Sequence, residues 1–453
     1  MIDQKVQYPR KHYFQNNYSV RQSMNQKWGL FFVFLVLLIG IVGFITDYKT
    51  FITLAAILGF FSLIVGLFRP AIGLFGIGIL CSIDAPMRVF LFTGILRWNT
   101  FNYWLLFIML IYLPKLLNLK HPQIRLLQSF IILLGIGLII SPDFMAGVQQ
   151  ILNIVIIFGL LIYFIRNRSD KQNWYWMSVI TGSLTAIGSL LFFLQITDIP
   201  YVNPNSWSYF PLTGILAINL GMPFSLNKKM HSLILFFLAV LNFAFVFLSG
   251  SRGVLLVAVV CILFLLIQVR SFNRRVGSIL IAVLVIFTIF NQFTELQVNT
   301  FERIDRLVNP TYTWNQRTSG RSDIALGGWY IFLEHPFGIG TGGFAPTWAA
   351  LGDLNGLLSI RNVGEETQQH SAWMKILSEN GFPGFILLFA FVVSFAILGF
   401  RKRSRQLRLI GLLVSIVLTL IYISTNFQGK GTWLLVAGAM VLLQEKEIQV
   451  PYY

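Results

Sequence analysis

Residues 301–322 read FERIDRLVNPTYTWNQRTSGRS, and they sit inside a polar stretch running from about Asn291 to Gly381 in a chain otherwise made of apolar runs. The stretch carries Arg303, Arg306, Arg317, Arg321, Arg361 and His370. Hydrocarbon cannot satisfy the amide groups of irregular backbone, so a charged segment of this length must lie outside a bilayer, held between spans. The rest of the chain supplies those spans. Of 453 residues, 56% are hydrophobic and 11% charged, with 43 Phe, which is the profile of a membrane protein and excludes a large soluble core.

Apolar windows of roughly twenty residues predict an all-α polytopic membrane protein with about twelve to fourteen transmembrane helices. They fall near 28–46, 51–68, 71–83, 101–114, 126–141, 150–166, 175–195, 209–225, 231–249, 253–269, 276–293, 382–400, 408–424 and 430–444, the third, fourth and last being short. The chain divides accordingly. A cytoplasmic leader at 1–27 precedes transmembrane helices 1–11 within 28–293; an outer loop at 294–381 follows, then helices 12–14 within 382–444 and a cytoplasmic tail at 445–453. The first apolar run shows no small-residue cleavage site and is expected to stay as an uncleaved span.

The net charge of +17 invites a nucleic-acid partner, but the placement of the basic residues excludes one. Most of the 34 Lys and Arg alternate between connections as the positive-inside rule requires. With the leader inside, both termini face the cytoplasm and the long loop faces outward. Cys81 and Cys261 fall inside predicted spans and make no disulfide framework.

The basic residues left on the outer side are Lys49, Arg88, Arg97, Arg252, Arg303, Arg306, Arg317, Arg321, Arg361, Lys375 and Lys430. Arginine presents a rigid fork of donors that matches a phosphate, so these residues are candidates for an anionic ligand. A solvated loop charge or a headgroup contact is the plainer account of each taken singly. Arg252 is the sharpest, because Leu248-Ser249-Gly250-Ser251-Arg252-Gly253 joins two apolar spans with almost no loop. An arginine at that boundary is costly unless paired or solvated, and flanking glycines let backbone amides approach an anion.

The outer loop is expected to hold two helices around an irregular segment. The first runs from about Asp323 to Glu334 with Ser322 as N-cap, which sets Arg321 at the positive end of the helix dipole. After His335-Pro336 come Gly338, Gly340, Gly342 and Gly343, readable as a phosphate cradle or, more plainly, as a tight turn packing the helix on the membrane domain. The second begins near Thr367, carries His370 in its first turn with Trp373, Met374 and Leu377 on the same face, and stops at Asn380-Gly381. No HExxH, no paired His and Cys ligands and no Asp-x-Asp occur, so neither a metal nor a cofactor is expected.

Taken in order, Gly250-Ser251-Arg252-Gly253, then Gly320-Arg321, Trp329, Pro336, Gly338 to Gly343, His370 and Gly381 resemble the O-antigen ligase and polymerase family. The resemblance covers about Phe245 to Phe385; the first half of the chain matches only in hydropathy and span count. It implies a glycosyltransferase that takes a glycan from an undecaprenyl pyrophosphate carrier on the outer face of the plasma membrane and joins it to a glycan or lipid-anchored acceptor. His370 would then be the catalytic base, and Arg252 and Arg321, with Arg317 and Arg361 as further candidates, would bind the pyrophosphate. Ligase and polymerase share this chemistry and stay open as alternatives. A lipid-linked glycan flippase or transporter would also need many spans, but it would place charges near the midplane and keep its outer loops short. A scaffold without catalysis would make His370 a packing residue and the arginines headgroup contacts.

Overall fold

The computed structural model describes residues 10–90, 122–166, 171–195, 204–225, 229–268, 309–313, 317–318, 321–351, 371–424 and 430–444. Every element among the described residues is a helix: α1 Arg10–Ile45, α2 Tyr48–Gly66, α3 Pro70–Phe90, α4 Pro122–Ile139, α5 Phe144–Arg166, α6 Lys171–Leu194 and α7 Pro204–Ser225. Then come α8 Lys229–Leu248, α9 Arg252–Gln268, α10 Arg321–Glu334, α11 Phe344–Leu351, α12 Ala372–Phe400, α13 Arg405–Ser424 and α14 Lys430–Gln444. Among the described residues seven helices are long and apolar enough to cross a membrane, and shorter apolar helices at Pro70–Asp84, Phe144–Val155, Arg252–Gln268 and Lys430–Leu443 accompany them. The chain is an all-α polytopic membrane protein, as its hydropathy predicts. The expected spans at 101–114 and 276–293 lie outside the described residues.

The structure adds three details to the sequence expectation. The leader is continuous with the first span, since α1 runs unbroken from Arg10 into it. The third span is short in its apolar part, Pro70–Asp84, as expected, but the helix α3 continues through Pro86 to Phe90, which brings Arg88 into its last turns. The polar loop holds a third helix, α11, where irregular chain was expected.

The bundle is built around α6 and α7. The apolar window of α6 is 83% buried, against 28% for α1, so α6 is a central helix and α1 a peripheral one facing lipid. Lipid tails are as apolar as leucine, so helices associate here through close approach and interhelical hydrogen bonds rather than through exclusion of water. Ser178 donates to the Ala217 carbonyl at 2.6 Å and Asn242 to the Gly182 carbonyl at 3.0 Å. A methyl group on Gly214 would fall 2.1 Å from the Thr185 hydroxyl, and one on Gly221 2.2 Å from that of Ser178. Glycine at these two positions lets the helix backbones meet.

Contacts between elements sort the helix ends into two sets. At one end Gln195 donates to the Gly43 carbonyl, Ser371 to the Tyr422 carbonyl and Thr341 to the Leu134 carbonyl, while Lys430 pairs with Asp84. At the other, Ser225 meets Ser232, the rings of Tyr175 and His231 stack at 4.4 Å, and Gly399 touches Gly411. Arg252 belongs to the first set, which also gathers the described part of the polar loop.

The Lys430 to Asp84 bond, 2.8 Å long, closes the short helix α14 onto α3, and both residues are buried at under 10% exposure. Lys430, counted above among cations available to an anionic ligand, thus has a carboxylate partner. Lys430→Met is expected to cost about 3–5 kcal/mol, because it strands a buried carboxylate, whereas Asp84→Leu with Lys430→Met should recover most of that loss. Thermal unfolding in detergent measures both, and a single variant as stable as the parent protein contradicts the assignment.

Candidate functional site

The site is assembled where α8 gives way to α9. After Leu248 the Ser249 hydroxyl turns back to the Val246 carbonyl at 2.6 Å, and Gly250 takes φ +67°, a left-handed conformation that favours glycine. Helix α9 then starts at Arg252, so this residue sits at the positive end of a helix dipole. Its guanidinium Nη1 donates to the backbone carbonyl of Arg317. Arg317 in turn donates from its own Nε to the Tyr312 carbonyl at 2.9 Å. Two arginine side chains therefore bind backbone carbonyls, those of Arg317 and Tyr312, near the start of α9.

Next in the chain is α10. The helix starts at Arg321, two residues earlier than expected, and Ser322 lies inside its first turn rather than at the N-cap. The capping oxygen comes from Thr318, whose hydroxyl accepts from the Ser322 amide at 3.2 Å and donates to the Ser322 hydroxyl at 2.9 Å. Arg321, like Arg252, thus occupies the first position of a helix. The structure brings Arg252, Arg317 and Arg321 into one neighbourhood. Arg361 and His370 lie outside the described residues.

The position next to His370 is nonetheless fixed. Ser371 is the N-cap of α12: its hydroxyl accepts from the Met374 amide at 3.4 Å and donates to the Tyr422 carbonyl at 3.1 Å. Trp373 donates from its indole to the Thr419 carbonyl at 3.2 Å. Both partners belong to the last turns of α13, and α13 packs against α9, whose first residue is Arg252. Packed helices lie about 8–10 Å apart, so the anchor of the His370 segment stands one helix away from the arginines. Helix α12 starts at Ala372, not near Thr367, with Ser371 as its N-cap.

The glycine-rich segment does not cradle phosphate. Gly338, Gly340 and Gly342 all have positive φ, and a methyl group on each would fall 2.3, 2.7 and 2.4 Å from backbone atoms of Glu379, Ser141 and Gly147 respectively. The turn is filled by protein, as the plainer expectation has it. It is pinned by Ile339 and Gly340 amides donating to the Ser378 and Glu379 carbonyls at 3.1 and 2.9 Å, and by the Thr341 amide donating to the Gly137 carbonyl at 3.1 Å. Asn380 adds a bond to the Thr341 hydroxyl at 3.0 Å.

Glu379 carries no motif that would single it out in the sequence, yet it joins α12 to α11. It is buried, its Oε1 lies 3.8 Å from the Lys375 ammonium, and the same oxygen accepts from the Phe344 amide at 3.4 Å at the start of α11. A carboxylate there is favoured by the positive end of that helix. Trp348 of α11 packs on Gly327 of α10, and with Ile331 and Phe344 it forms a small core separate from that of the bundle. Glu379 thus ties α11 to α12, the two described helices on either side of residues 352–370 in the chain.

Residues 237–389 match the model of the family described as O-antigen ligase. The matched segment starts within α8 and ends within α12, so it contains Arg252, Arg317, Arg321, Arg361, His370 and the glycine turn. No protein in the curated set matches the chain. The resemblance drawn from the sequence is therefore borne out over that segment, which is similar to the O-antigen ligase family and set in a multi-pass membrane protein.

Gly340→Ala is expected to destabilise the protein, because the added methyl group meets only backbone and the residue would keep φ near +101°; strain of this kind costs about 1–3 kcal/mol before any clash. Glu379→Gln should be milder than Glu379→Ala, since the amide oxygen still accepts from Phe344. Limited proteolysis between α11 and α12 reads both comparisons; equal cleavage of all variants and the parent contradicts them.

Proposed function

We propose that this chain is an O-antigen ligase-like transferase, working from the end of the bundle that carries Arg252, with that end facing outward and both termini in the cytoplasm. Its donor is a glycan on undecaprenyl pyrophosphate and its acceptor a sugar or a lipid-anchored glycan. The observation that carries this reading is the convergence of Arg252, Arg317 and Arg321 at two helix starts, all within the segment that matches the family.

The chemistry follows from the donor. An acceptor hydroxyl oxygen attacks the anomeric carbon, the bond from that carbon to the pyrophosphate oxygen breaks, and its electron pair leaves with the carrier. The pyrophosphate is already a good leaving group, so the protein must receive growing negative charge and remove one proton. Arg252 and Arg321, each at the positive end of a helix, are suited to the charge, with Arg317 and Arg361 as further candidates. His370 is assigned the proton. An imidazole in water titrates at about pH 6.5, which suits a general base near neutral pH, and such assistance is worth about a hundred- to ten-thousandfold in rate. Attack opposite the leaving pyrophosphate inverts the anomeric centre, and arginines in place of a cation make the step independent of metal.

Membranes carrying His370→Ala or Arg252→Ala are expected to lose transfer of carrier-linked glycan by at least about a hundredfold while protein levels hold. Arg321→Lys should also be impaired, since an ammonium cannot reproduce the two-pronged contact of a guanidinium. Parent-level activity in both alanine variants contradicts the proposal.

A further inference from the structure

We propose that α10 lies flat in the outer leaflet of the bilayer, with one face embedded at the boundary between headgroups and acyl chains. The helix has two apolar sides. Gly327, Gly328 and Ile331 face inward against α11. On the opposite side Leu326, Trp329, Tyr330 and Leu333 form a stripe within an arc of about 100° at helical spacing. They are 42%, 41%, 45% and 54% exposed, and Phe337 beyond the helix end is 84% exposed. No charged residue occurs from Ile324 to Leu333. At fourteen residues α10 is about 21 Å long, too short to span hydrocarbon.

Continuity with the lipid-facing side of α12 identifies what covers the stripe. Phe382, Ile386, Phe389, Ile397 and Phe400 form one exposed face of that candidate span. The Pro336 carbonyl accepts from the Phe382 amide at 2.9 Å, and a methyl group on Gly381 would fall 2.4 Å from the Phe337 carbonyl carbon. Phe337 therefore stands at the head of the lipid-facing stripe, and α10 extends from it. On the other side of the glycine turn, Ile139, Ile140, Phe144 and Met145 are also exposed. A contiguous apolar surface of this kind is uncommon in water, and Trp and Tyr favour the membrane interface. The charged start of α10 fits the same depth: Arg321 and the Arg252 to Arg317 contact would lie at the level of lipid phosphates.

The inference rests on the membrane setting of the proposed function and not on its transfer chemistry. Leu326→Cys, Tyr330→Cys and Leu333→Cys, each carrying a nitroxide, would be reconstituted in bilayer discs of phosphatidylethanolamine and phosphatidylglycerol. Native Cys81 and Cys261 are both buried, which directs labelling to the new sites. Collision with dissolved oxygen is expected to exceed collision with a water-soluble nickel chelate several-fold at all three positions. Preferential collision with the chelate would place the stripe in water and overturn the proposal. An immobilised label reached by neither reagent would mean that a second copy, or another segment of this chain, covers the face, and would overturn it too. No substrate is present, so the result is independent of whether glycan transfer is the activity.

Discussion

A break in a helix near hydrocarbon leaves backbone groups that water does not reach, and the break at Gly381 is the one on which the rest of the candidate site depends. Gly381 takes φ 64° and ψ −161°, and the next residue but one is Pro383, which has no amide hydrogen. The Glu379 carbonyl thereby loses its helical donor, and the Phe382 amide turns away from Ser378. The glycine turn replaces what is lost: Gly340 donates to Glu379, Ile339 to Ser378, and Pro336 accepts from Phe382. The exchange is reciprocal, so α12 can bend only where the turn is present, and the turn is ordered only where α12 bends. It welds the polar segment to the bundle and sets α10 at the bilayer edge.

From that weld the site follows in two directions. Along α12, the stub from Ala372 to Asn380 carries Ser371 to the end of α13 and holds Glu379 against α11. Along α10, the helix starts at Arg321, close to the contact of Arg252 with Arg317. Lys430 and Lys375 face the carboxylates of Asp84 and Glu379 and serve the fold. Arg252 and Arg317 donate to backbone carbonyls and so order the backbone beside them.

Hydropathy makes the class legible, because the thickness of a bilayer imposes a length on every span. The local motifs are legible to different degrees. Pro336, Gly381 and the glycines between 338 and 343 can be read as turn formers, but which carbonyls they serve depends on Ser378 and Glu379, some forty residues away in a different element. Helix α11 escapes a reading by periodicity, since it is eight residues long and its start is capped by Glu379 from another helix. Arg252 stands out because a charge at the boundary of two apolar runs is rare, whereas Arg317 looks like any loop arginine until its carbonyl is seen to bind Arg252. The Asp84 to Lys430 pair is hidden for the same reason, its members lying in the third and last helices.

The account turns on glycan leaving a lipid carrier at this site, and the most direct measurement is the carrier-linked glycan that builds up in native cells when His370 is changed to Ala. Accumulation of long, finished chains on the carrier is the predicted result and marks a ligase; accumulation of single repeat units would mark a polymerase of the same chemistry. A carrier-linked pool unchanged from that of parent cells would contradict the account.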